Sequence, residues 1–87
     1  MREANFTKGP WSLTTLGNDA LLIESGDYVI CHVTDPNEQD YMNVNLMAMA
    51  PDMYQMLDSL SHYMAFQGKP EWTQEINELL AKARGEL

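Results

Sequence analysis

Pro51 stands in the middle of a run of residues whose apolar side chains recur at helical spacing. The run reads NVNLMAMAPDMYQML over residues 43–57. A proline inside a helix removes a backbone hydrogen bond and disfavours the α conformation of the residue before it, whereas at the first helical position it costs little. The sequence therefore predicts a short helix that ends near Met49 and a longer helix that begins at Pro51. Asp52 then lies in the first turn, where the helix dipole favours an acid.

The apolar side chains of this region form one broad stripe with spacings of three and four residues, which is typical of a helix packed on a core. We expect five members of this stripe to pack on a β-sheet, namely Leu46, Met49, Met53, Met56 and Leu57. Three other side chains lie off the stripe and face either water or a partner: Met42, Met47 and Tyr54. The stripe itself consists of Leu46, Met49, Met53, Met56, Leu57, Leu60, Tyr63 and Met64.

The methionines of this region allow three interpretations. They fill the core, they form an apolar surface whose adaptable thioethers fit a partner, or they bind copper(I) through Met53 and Met56. A copper site needs more converging thioethers than one helix face supplies here, and the methionines fall on more than one face. We favour core filling and predict no metal site.

Three short runs rich in branched and aromatic residues precede the helical region. They read WSLTTL, ALLIE and YVICHV, and the turn signals GND and SGD separate them. Such a series predicts a three-stranded antiparallel meander. Trp11 is large enough to anchor the first strand on a helix, and in the third strand we expect Val29, Cys31 and Val33 to face the core. Residues 34–40, TDPNEQD, are predicted to form a loop.

A further helix is predicted after the segment QGKP, in which Gly68 caps the preceding helix and Pro70 begins the next. Trp72 near its start is expected to close the core from the other side. One face of this helix carries Trp72, Ile76, Leu79, Leu80 and Ala83.

These elements predict an α+β fold, in which a three-stranded antiparallel meander is followed by two to three helices packed on one face. Residues 1–10 are expected to form a flexible arm, 11–33 the meander and 41–87 the helical part of a single small domain. A chain of 87 residues builds only a marginal core, so oligomerisation would add stability.

Charge is distributed unevenly along the chain. The net charge is -8, and no Lys or Arg occurs between Gly9 and Gly68. So acidic a chain repels nucleic-acid phosphates and anionic membranes and attracts basic partners. The alternative interpretation is that the charge serves solubility alone. The single cysteine, Cys31, and the lack of a signal-like or membrane-spanning run predict a cytoplasmic protein.

The residues that could carry chemistry do not form a recognisable reaction centre. Cys31 and His32 are neighbours on a strand and point to opposite faces, so one cannot assist the other. His62 follows Asp58 by four residues, which predicts a surface ion pair on one helix. No phosphate-binding loop, nucleophile elbow or zinc-protease motif occurs. We predict no enzymatic activity, no catalytic residues, no cofactor and no metal.

Four stretches resemble small reading frames of tailed bacteriophages and prophages. These are TKGPW, GDYVICHV, NVNLMAMAPDMYQML and AKARGEL, which span residues 7–87. The third stretch is the most specific, although Met47 and Met49 replace smaller or branched residues and Lys8 replaces a proline. The resemblance implies a phage origin and supplies no catalytic residues. Small acidic phage proteins include anti-CRISPR proteins, anti-restriction DNA mimics and other proteins that disable host machinery.

Charge and resemblance together suggest an accessory protein that acts in the bacterial cytoplasm. It would bind and inhibit a host protein, such as a basic nucleic-acid-binding component of CRISPR-Cas or another anti-phage defence. The alternative is a small homo-oligomeric module, for example a homodimer, with a structural or assembly role in the phage cycle. The candidate partner-binding residues are Asp19, Asp27, Asp35, Glu38, Asp40, Met42, Met47 and Tyr54.

Overall fold

The fold is that of a computed structural model, and it is described here for residues 6–17 and 19–86. A three-stranded antiparallel sheet in the order β1-β2-β3 is followed by three helices, which confirms the predicted α+β fold. The strands are β1, Ser12–Leu16; β2, Ala20–Ser25; and β3, Tyr28–Thr34. The helices are α1, Glu38–Ala48; α2, Ala50–Phe66; and α3, Pro70–Ala83.

The described residues pack in two compact units. One lies within Thr7–Asp52, and the other combines Phe6 with residues 53–86, so the boundary falls inside α2. The prediction of a single domain over residues 1–87 stays a prediction.

In the first unit, α1 packs on β1 and β2. The centre of the core consists of Leu21 and Ile23 from β2 and Val44 from α1. Trp11 packs against this centre, as predicted, and its indole Nε1 donates a hydrogen bond to the carbonyl of Thr7 over 3.0 Å.

A β-bulge changes which side chains of β3 face the core. Ile23 pairs with Cys31 and Glu24 pairs with Val29, so Ile30 is the extra residue. An extra residue interrupts the alternation of faces along a strand. Cys31, Val33 and also Ile30 pack against the core, whereas Val29 is exposed. The prediction was therefore correct for Cys31 and Val33 and wrong for Val29.

The apolar stripe of the helices lies largely on the exposed side, contrary to prediction. Val44 and Ala48 are the buried residues of α1, while Leu46 and Met49 are exposed. Helix α1 carries apolar residues on two faces. The face with the smaller side chains, Val44 and Ala48, packs on the sheet because it lets the helix come closer to the strands. In α2, Leu57 is half-buried, whereas Met53 and Met56 are exposed.

In the second unit, a side-chain hydrogen bond joins α2 and α3. Ser61, buried on α2, donates from its hydroxyl to the side-chain oxygen of Asn77 over 2.7 Å. Ile76 and Leu80 are the buried residues of α3. Trp72 and Leu79, predicted on the same face, are about half-exposed. Trp72 therefore does not close a core, because the face of α3 that is covered is centred on Ile76 and Leu80.

The start of the chain makes specific contacts where it is described. The Ser25 hydroxyl donates to the carbonyl of Lys8 over 2.7 Å, and Gly9 lies against the ring of Pro51. Phe6 meets Tyr54 edge-to-face with ring centroids 4.9 Å apart. Residues 1–5 of the predicted flexible arm lie outside the described residues.

Candidate protein-binding surfaces

Two predicted partner-binding acids come together at one end of the sheet. Asp19 lies in the turn before β2, and Asp35 follows the last residue of β3. Because Ala20 pairs with Thr34, the two acids are neighbours across the strands. The backbone N–H of Asp35 donates to the carbonyl of Asp19 over 2.8 Å. Both side chains are exposed.

Glu38 extends this acidic group into the first turn of α1. Its side chain is exposed and lies three residues after Asp35. The connection is made by a segment in which Asp35 adopts a φ of 50°, a left-handed conformation that aspartate tolerates better than most residues. We call Asp19, Asp35 and Glu38 the acidic end.

Asp40 has a structural partner of its own. Its carboxylate accepts the backbone N–H of Asn37 over 3.0 Å, and the Asn37 side chain accepts the N–H of Asp40 over 2.8 Å. This reciprocal pair is a capping box, which begins α1 at Glu38. Residues 38–40 were predicted to belong to a loop, and this was wrong because the capping pair starts the helix earlier than the apolar periodicity does.

Asp27 lies away from the acidic end. It follows Gly26 in the turn between β2 and β3, where Gly26 adopts a φ of 59°. This turn lies at the end of the sheet opposite to Asp19 and Asp35, next to the contact between Ser25 and the carbonyl of Lys8. The fold therefore separates Asp27 from the other predicted acids.

The three apolar candidates differ in their surroundings. Met42 and Met47 are exposed on α1. Tyr54 is half-buried, and its hydroxyl accepts a hydrogen bond from the Arg84 guanidinium over 2.8 Å. Arg84 also pairs with Glu86 over 2.9 Å. The hydrogen bond to Glu86, and to a smaller extent the one to Tyr54, raises the pKa of Arg84 above its usual range. Tyr54 thus already serves to hold the end of the chain on α2.

Helix α2 carries an exposed apolar surface, whereas the sequence favoured core filling over this interpretation. Met53, Met56, Leu60 and Tyr63 are 45%, 72%, 36% and 57% exposed. We call these four residues the outer row. A second row, which includes Leu57 and Ser61, is buried or half-buried on the adjacent face. The outer row's regular spacing was visible in the sequence, but nothing in that spacing indicated which of the two rows would be covered.

His62 makes a different contact from the one predicted. Nδ1 of His62 lies 2.8 Å from the backbone oxygen of Asp58, so the contact is with the main chain rather than with the carboxylate as predicted. The Asp58 Oδ1 atom is buried with no hydrogen-bond partner among the described residues. Within residues 6–17 and 19–86, no three His, Cys, Asp or Glu side chains are grouped as metal ligands would be.

None of the helices in the described part of the chain combines the length and apolar character needed to cross a bilayer.

A comparison with curated proteins and a comparison with solved structures each gave no match. A family model described as Salmonella phage P22 protein Y8K6 matches residues 1–87. The match covers the full stretch over which TKGPW, the methionine-rich helices and AKARGEL resemble phage reading frames. The chain therefore belongs to the family of Salmonella phage P22 protein Y8K6.

Proposed function

We propose that this phage-family protein is a non-enzymatic accessory protein that binds and inhibits a host protein through its acidic end. The observation that carries the proposal is the hydrogen bond between Asp35 and Asp19, which gathers exposed carboxylates at one end of the sheet. The narrower proposal is that the target is a CRISPR-Cas or other anti-phage defence component in the host cytoplasm.

The charge of the surrounding chain supports a basic target. No Lys or Arg occurs between Gly9 and Gly68, so no cation from this stretch neutralises the acidic end. Exposed carboxylates attract a positive surface and accelerate its association, whereas they repel phosphates. Basic surfaces of nucleic-acid-binding proteins are shaped for phosphates, and a carboxylate group of fixed geometry competes for them. Binding of this kind blocks the target without any catalytic step.

The backbone around Asp35 makes the acidic end a defined group. A backbone hydrogen bond of 2.8 Å fixes Asp35 to Asp19 in the turn before β2. The capping box fixes the start of α1, which carries Glu38. Carboxylates on fixed backbone lose less conformational entropy on binding than carboxylates on a free loop. Asp27, at the opposite end of the sheet, is not part of this proposed contact.

The test is affinity capture from a lysate of the bacterial host, with a matched pair of variants. The first combines Asp19→Asn, Asp35→Asn and Glu38→Gln; asparagine suits the left-handed conformation at position 35. The control combines Glu71→Gln, Glu75→Gln and Glu78→Gln, which removes the same charge from exposed positions of α3.

We expect the wild type and the control to retain a nucleic-acid-binding protein that double-stranded DNA displaces, and the acidic-end variant to lose it. The proposal is overturned if no such protein is retained, or if both variants lose it equally. Purified target then allows its activity to be measured with and without the phage protein, which tests inhibition directly.

One observation favours the alternative of a homo-oligomeric structural or assembly module. The outer row of α2 is exposed on a chain whose small size makes an interface stabilising. A protein that self-associates and retains nothing from host lysate would support this alternative over the host-binding proposal.

A further inference from the structure

Helix α2 carries apolar side chains on two adjacent faces, and only one of them is covered. The inner face includes Leu57, half-buried, and Ser61, which is 4% exposed and bonded to Asn77 of α3. At about 100° per residue, the outer row is centred roughly a third of a turn away. A helix that is apolar over such a wide arc needs two packing partners. Helix α3 supplies one.

The spacing of the outer row matches the seam of a two-helix coiled coil. Met56 follows Met53 by three residues, Leu60 follows by four and Tyr63 by three. These are the a and d positions of a heptad repeat, which pack as knobs into the holes of a facing helix. The row is therefore shaped for another helix rather than for a small ligand.

Charge then selects which helix fits. Between Met53 and Phe66 the positions that flank the row are Leu57, Ser59, Met64 and Phe66, all uncharged, and the one carboxylate at its edge is that of Asp52, just before Met53. Asp58, on the other side of α2, carries the only formal charge between Met53 and Gln67. A chain of net charge -8 repels its own copy over most of its surface, and this repulsion is weakest along the outer row. A basic partner, in contrast, would find only the Asp52 carboxylate beside the row, at its N-terminal end.

We propose that the outer row is covered by the same row of a second copy, with the two α2 helices antiparallel around a twofold axis. The row is self-complementary about its midpoint. Met53 faces the partner's Tyr63, and Met56 faces the partner's Leu60. Each a position thus meets a d position, and every contact occurs twice, as an isologous interface requires. A parallel arrangement would instead place the two Asp52 carboxylates side by side, whereas the antiparallel one separates them.

The available area fits a reversible dimer. Phe66, which is 86% exposed, lies beside the row. With exposed fractions between 36% and 86%, these five side chains together offer on the order of 600 Å² of accessible surface per chain, since a large apolar side chain carries about 150–250 Å² when fully exposed. A standard-size interface uses about 800 Å² per partner. The proposal concerns a different surface from the acidic end and does not depend on host binding.

The first test is the molar mass of the full chain by sedimentation equilibrium from micromolar to several hundred micromolar concentration. We expect the mass to rise from 9.9 kDa to twice this value. Met56→Glu and Leu60→Glu should each keep the protein monomeric, because both side chains lie at the centre of the interface. Leu79→Glu, an equally drastic change at an exposed position of α3, should leave the dimer intact. Circular dichroism confirms that each variant keeps its helices.

The second test fixes the orientation by cross-linking in a Cys31→Ala background. Air oxidation of a mixture of Met56→Cys chains and Leu60→Cys chains should give mainly mixed dimers. A preference for dimers of Met56→Cys chains with each other would overturn the antiparallel arrangement.

A wild type that stays monomeric throughout would overturn self-association itself, as would a dimer that neither glutamate variant weakens. The two proposals are tested separately. The acidic-end variant should lose host capture and keep the dimer, whereas the glutamate variants of the outer row should lose the dimer.

Discussion

The hydroxyl of Ser61 on α2 donates to the side-chain oxygen of Asn77 on α3 over 2.7 Å. Ser61 is the buried polar residue of the described core, so its hydroxyl has exchanged water for this one partner. The bond joins the inner face of α2 to α3, and the exposed outer row lies on the adjacent face. The face of α2 that carries the buried Ser61 is therefore the face that α3 covers.

Ser61→Ala is expected to lower the free energy of unfolding by about 1 kcal/mol, the typical net value of such a bond. Urea denaturation followed by circular dichroism measures the change. Ser59→Ala is the control, because Ser59 is exposed on the same helix. Equal stability of the two variants would show that the bond contributes nothing.

The sequence predicted the order and type of the elements because its turns are marked by specific residues. Gly26 and Gly68 end elements at positive φ, and Pro51 and Pro70 lie at the starts of helices. It did not predict the exposure of Val29, since a bulge depends on pairing with another strand. It could not choose between the two faces of α2, because the apolar residues of both recur at helical spacing.

The candidate site was predictable in composition but not in arrangement. The excess of acids was evident from the chain alone. Whether Asp19 lies beside Asp35 or beside Asp27 depends on strand pairing, which the hydrogen bond from Asp35 to Asp19 decides. The role of Asp40 depends on Asn37 three residues earlier, and this capping signal was outweighed by the loop-forming composition of the segment.

Asn37→Ala should destabilise the start of α1 by about 1 kcal/mol, because the alanine cannot accept the N–H of Asp40. Asn37→Gly should cost only a few tenths of a kcal/mol by comparison, since glycine is tolerated at this position. Thermal and urea unfolding of the two variants measures the difference. If alanine proves no worse than glycine, the capping box does not stabilise α1.

Asp35 should tolerate residues according to their preference for the left-handed conformation. Asp35→Asn and Asp35→Gly are expected to stay near wild-type stability, whereas Asp35→Val should lose about 1–2 kcal/mol because a branched side chain collides with its own backbone at a φ of 50°. Urea titrations compare the three variants. Thr34→Val, at an exposed strand position, serves as control and should remain near wild type. A valine at position 35 that is equally well tolerated would contradict the left-handed conformation.

Gly9 is required by its distance to Pro51 rather than by its φ. A β-carbon on residue 9 would lie 2.9 Å from the Cβ of Pro51, a distance that real Cβ atoms essentially never adopt. Because the Pro51 ring is buried, neither partner moves away without disturbing the core, and Gly9→Ala should lose about 1–3 kcal/mol. Lys8→Ala is the matched control, since Lys8 is exposed and contributes its backbone carbonyl to Ser25 whatever its side chain. Urea unfolding should therefore separate the two neighbouring alanine variants, and coincident transitions would show that the segment before Trp11 can shift without cost.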